Sequence, residues 1–165
     1  MTNALNVTAT PTEISSGVRN PKTMADSLLN VLADTYRLTF KSHAFHWNVE
    51  GPLFFSIHNL TEGQYEDMFA AADKLAKRIR AVGQMAPMTM SQIIENSIIE
   101  DDQTAPTAGE MCSILASDHE HVAHRLHGLI KLAGEQNDPV TEDLATERAA
   151  FHEQAAWMLK AMIAQ

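Results

Sequence analysis

Two histidines and two carboxylates are the residues in this chain best placed to do chemistry. His46 stands twelve residues before His58, with Gly51-Pro52 between them. A helix that stops at Gly-Pro and a second that runs back can therefore bring both imidazoles together. Glu62 follows His58 by four residues, which puts it on the same helical face one turn further on. Imidazole and carboxylate donors at one hairpin suit borderline cations such as iron or zinc. A histidine near a helix end is also a common cap or half-buried packing residue, and the spacing alone leaves both readings open. Asp73 cannot reach this group within one chain. It lies fifteen residues past His58, roughly 22 Å along a helix. Two antiparallel copies about a twofold axis would bring Asp73 of one to His46 and His58 of the other, and such a site exists only after assembly.

The elements that must position these residues are helices. Met24, Leu28, Val31 or Leu32, Thr35, Leu38 and Phe45 recur at three- and four-residue steps, the period of an amphipathic helix. That helix opens at Pro21, where a missing N–H costs nothing, and runs to about Val49. The second spans about Leu53 to Val82 and ends at Gly83, with Leu60, Met68, Leu75 and Ile79 on its apolar stripe. Thr107 with Glu110 three residues on forms a capping box for a third helix ending at Gly134. A fourth starts near Asp138-Pro139 and runs to about Ile163, with Ala145, Ala149, His152, Ala156 and Leu159 on one side. The long link between the second and third has room for a short helix at Thr89–Ile94. The fold expected is all-α, a ferritin-like four-helix bundle over 21–165 with an extra helix in the crossover. Residues 1–20, rich in Thr, Asn and Ser, read as a flexible arm.

The bulk properties narrow the function. With 165 residues the chain suits one domain with its own core. One cysteine, Cys112, excludes an internal disulfide and fits a reducing compartment. No basic-then-apolar leader opens the sequence and no apolar run is long enough for a membrane, so a cytoplasmic location is expected, with nucleoid association as an extension of it. A net charge of −9, with Arg19 the one basic residue among the first twenty, disfavours nucleic acid and fits cation handling. DNA binding is expected to be absent or weak.

At this point the residues resemble a known family. His46-Trp47, then Gly51, then His58, Glu62 and Asp73 at these intervals look like the Dps proteins, the mini-ferritins of starved bacteria. Arg78 and Gly83 fit the end of the same block, and the likeness runs more loosely through Asp118 and Trp157-Met158-Leu159. The resemblance implies a homo-oligomeric, twelve-subunit hollow shell, with ferroxidase sites at its twofold interfaces. Iron would be oxidised mainly by H2O2, with O2 as the other oxidant, and zinc is a substitute for iron. In that reading His46, His58 and Asp73 are both metal ligands and catalytic residues, Glu62 is a further ligand or water anchor, and Trp47 packs beside them.

The chain departs from the family at one position. Where the family carries Glu four residues after the Asp, this sequence has Lys77, whose protonated amine has three donors and no lone pair. It is expected to repel Fe2+ or to stand in for it beside Asp73, weakening ferroxidase activity. A shell impaired in this way, with a structural or DNA-protective role, is the alternative reading.

Two further clusters are noted. Asp138, Glu142 and Asp143 open the fourth helix, where its dipole favours acids, and the resemblance places them at a threefold pore. His119, Glu120, His121, His124 and His127 crowd the third helix, and the stripe at Leu115, Val122 and Leu126 turns most of them toward solvent or an interface; an auxiliary metal site is the other reading. No Glu-x-x-His occurs, which argues against the larger ferritins with their di-iron site inside each bundle. The nine Met are read as core filler rather than haem ligands.

Overall fold

The computed structural model describes residues 4–102 and 104–164; the first three residues of the expected arm and Gln165 lie outside them. Five α-helices follow in order: α1 Pro21–Asn48, α2 Phe54–Ala81, α3 Met90–Asn96, α4 Ala108–Glu135 and α5 Pro139–Met162. Among the described residues there is no strand. The all-α four-helix bundle with a short helix in the crossover is the architecture observed.

The helix boundaries fall within a residue or two of the sequence expectation, and local chemistry sets several of them. Asn20 caps α1 by accepting from the Thr23 amide at 3.2 Å, with Pro21 in the first turn. Thr89–Gln92 and Thr107–Glu110 form reciprocal capping boxes at α3 and α4. Gly83 closes α2 with φ 90°, and a Cβ there would lie 2.7 Å from the Thr12 carbonyl oxygen, so both conformation and space call for glycine. That close approach is made by the segment expected to be an arm. The Thr12 amide donates to Gly83 O, and the Arg19 amide donates to Gln136 O.

Packing pairs α1 with α2 and α4 with α5 as two antiparallel hairpins, and α1 lies against α4. Their stripes meet in one core that includes Leu28, Leu38, Met68, Leu75, Leu115, Leu126 and Leu159, each essentially inaccessible. Burial of such side chains is worth about 1.5–3 kcal/mol apiece, which outweighs any intrinsic helix propensity.

Buried ion pairs fix the register of the hairpins. Asp34 on α1 accepts from Arg125 on α4 at 2.9 Å, from Ser97 Oγ and from the Ile98 amide, so one carboxylate ties two helices to the crossover. Loss of hydration still dominates there and pushes the Asp34 carboxyl above its ordinary range. One rung along, Lys41 meets Asp118 at 2.8 Å. Breaking either pair would strand a buried charge, a loss of about 3–5 kcal/mol.

Candidate metal centre

The turn at Gly51 (φ 89°) folds α2 back on α1 and sets His46 against His58. Their rings stack with centroids 3.7 Å apart and planes 17° from parallel. Two crossed hydrogen bonds hold them: His46 Nδ1 donates to His58 O at 2.9 Å, and His58 Nδ1 donates to His46 O at 3.0 Å. His46 O belongs to the last turn of α1, where carbonyls lack a helical partner, so the His58 ring also satisfies the helix end. A carbonyl can only accept, so both Nδ1 atoms carry their protons. In the neutral rings each Nε2 is then left with a lone pair, the form a metal requires.

An aromatic shell fixes these rings. His43 stacks on Tyr65 at 4.2 Å and lies 4.0 Å from Trp47; Tyr65 meets His46 edge-on, and Phe54 stacks on His58 at 5.0 Å. The Tyr65 phenol is pushed above its ordinary value, first by lost hydration and then by the Glu62 and Glu66 carboxylates. Trp47 is 57% exposed and Phe54 43%, an apolar surface beside a polar pair.

Glu62, Glu66, Phe69, Asp73 and Lys77 continue from His58 along one exposed stripe of α2. Asp73 takes no part in the histidine cluster of its own chain. Its carboxylate is held by Lys77 Nζ at 2.6 Å in an i,i+4 pair. Among the described residues, no three His, Cys, Asp or Glu side chains of a single chain converge as a metal site. The donors that one protomer brings together are thus the two imidazoles, with Glu62 on the exposed face of α2 one turn beyond His58.

Asp138 needs a correction. It was expected at a pore, but it is 1% exposed and caps α5. One of its oxygens accepts from Arg78 Nη2 at 2.6 Å and from the Thr141 amide, and the other accepts from Thr141 Oγ1. With both oxygens engaged and out of solvent, it cannot line an ion path. Glu142 and Asp143 remain exposed.

The α4 histidines divide. His121, His124 and His127 are exposed, with His127 Nε2 2.7 Å from Glu153. His119 is fully buried, and its Nδ1 lies 2.8 Å from Nδ1 of His152 on α5. Burial, with Arg148 adding like-charge repulsion, lowers His119 to about 3; His152 is likewise pushed well below its usual value. Sequence reading placed His152 on the apolar side of its helix but did not see this pair.

Residues 25–165 match the ferritin-like domain, and the chain belongs to that family. Within it, the chain is 33% identical over 87% of its length to DNA protection during starvation protein 2 of Bacillus anthracis, 99% of which is covered. It is 34% identical over 83% of its length to a low temperature-induced protein of Nostoc, covering 78% of that relative. The crystal structure of Dps from Staphylococcus aureus superimposes with a TM-score of 0.86 at 30% identity, covering 89% of this chain and 99% of that one. The protein is a member of the Dps family.

Proposed function

We propose that the protein is an iron-sequestering mini-ferritin that takes Fe2+ as substrate at sites shared between two protomers. His46 and His58 supply neutral nitrogen donors, Glu62 stands beside them, and Asp73 of the partner subunit supplies the carboxylate that one chain lacks. Two Fe2+ give up one electron each to one H2O2, which with two protons leaves as two waters, and the ferric product is kept inside a twelve-subunit shell. The observation that carries this reading is the crossed histidine pair, which fixes both tautomers for metal binding before any metal arrives. The exposed aromatics around it, and an α2 stripe ending in Asp73, are surface that a second copy would cover.

The test is an anaerobic Fe2+ titration of the assembled protein. His58→Ala and Asp73→Asn should each abolish the tight site, although the two residues are roughly 22 Å apart along one helix. Iron binding by Asp73→Asn equal to that of the parent protein overturns the shared site.

The Lys77–Asp73 pair favours a second reading, a shell of the same fold with impaired ferroxidase activity and a structural or DNA-protective role. Iron-oxidation kinetics separate the two, because an impaired shell oxidises Fe2+ no faster than buffer does.

A further inference from the structure

The interior of the bundle contains a polar layer that no helix-packing argument explains. Ser42 on α1, Gln64 on α2, His119 on α4 and His152 on α5 are all at least nine-tenths buried. Ser42 Oγ, both amide atoms of Gln64 and the Nε2 atoms of both histidines have no hydrogen-bond partner among the described residues. The inter-helix rungs place these residues at one level. His46 opposite His58 sets Ser42 and Gln64 within two residues of each other along the α1–α2 hairpin. Lys41 opposite Asp118 puts His119 beside the same stretch of α1, and Arg148 opposite Asp67 does the same for His152 and Gln64. At 1.5 Å per residue the four lie within about 3 Å of a common level, one from each helix.

Left bare, these atoms would be costly. A buried polar atom without a partner costs about 1–3 kcal/mol, and five of them would consume the whole stability of an ordinary domain. The valences also do not close among the histidines. One Nδ1–H donates to the other Nδ1, so in the neutral pair one Nε2 carries a hydrogen and the other a lone pair. One donor and one acceptor, plus an amide and a hydroxyl that can be both, require guests that donate and accept at once.

We infer that the polar layer formed by Ser42, Gln64, His119 and His152 is a binding site for a small internal cluster of water molecules. A cation is the wrong guest. No carboxylate belongs to the layer, and Arg148 (itself 3% exposed) adds a positive charge that both histidines feel. An inorganic anion would find one cation there, Arg148, already paired with the Asp67 carboxylate at 2.7 Å, and would otherwise meet neutral imidazoles and an amide that return less than the hydration it loses. Water has the right size, charge and two-way hydrogen bonding, and buried waters at about one per 27 residues are normal in folded proteins.

The test is a high-resolution crystal structure of the assembled protein, with anomalous data collected at the iron, copper and zinc edges. The expected result is two or more ordered waters within about 3.2 Å of the histidine Nε2 atoms and the Gln64 amide, without anomalous signal. An anomalous peak in the layer overturns the inference. So does a dry layer, or one in which the four side chains satisfy one another directly.

Discussion

Acid should loosen this bundle through the buried His119–His152 pair. Both histidines are held neutral in the fold, His119 down to about 3 and His152 well below its usual value. In the unfolded chain each returns to about 6.5. The unfolded state then binds more protons than the folded one at any pH between those values. The stabilisation is fully present above about pH 6.5 and is lost as pH falls, at up to about 1.4 kcal/mol per pH unit for each ring. From pH 7 to pH 5 the two rings together should remove about 4 kcal/mol. In thermal unfolding of a chain this size, that corresponds to a fall of about 8–16 °C. Raised carboxyls such as Asp34 and Asp118 titrate in the opposite sense, so the comparison is with the His119→Leu/His152→Leu double variant, in which they are unchanged. The parent protein should lose far more thermal stability between pH 7 and pH 5 than the variant. Equal losses in the two proteins would refute the assignment of a neutral, desolvated pair.

Three other outcomes are expected. Lys77→Glu exchanges a positive charge for a carboxylate beside Asp73 and should tighten anaerobic Fe2+ binding by about tenfold or more, read by calorimetry on the assembled protein; unchanged affinity means that Lys77 lies outside the site. Leu75→Ala opens a cavity in a fully buried position and should cost about 2–5 kcal/mol in denaturant unfolding. With a net charge of −9 the protein should leave DNA unretarded in a low-salt gel-shift assay, and a clear shift would show a basic surface that the composition hides.

Most of the fold was legible because its signals are local. Pro21, Thr107 with Glu110, Gly83 and the three-to-four spacing of the stripes fix where each helix begins, ends and faces, and α1, α2, α4 and α5 follow within a residue or two. The histidine hairpin was legible for the same reason, since a Gly-Pro turn leaves His46 and His58 little choice but to meet. What their spacing could not show was the exchange of hydrogen bonds between each ring and the other residue's carbonyl, which depends on the backbone at the end of α1. Asp138 was misplaced because a carboxylate at a helix start looks the same whether it faces solvent or an arginine sixty residues away; Arg78 decides the matter. His119 carried a readable signal, lying four residues after Leu115 and three before Val122 on the apolar stripe. The neighbouring exposed histidines obscured it, and its partner His152 lies on another helix, beyond any local pattern.

The shared iron site is tested most directly by a structure of the assembled protein crystallised anaerobically with Fe2+. It should show iron bonded to His46 and His58 of one protomer and to Asp73 of the partner subunit, with Lys77 displaced from that carboxylate. Iron bound wholly within single chains, or Asp73 distant from every neighbour's histidines, would contradict it.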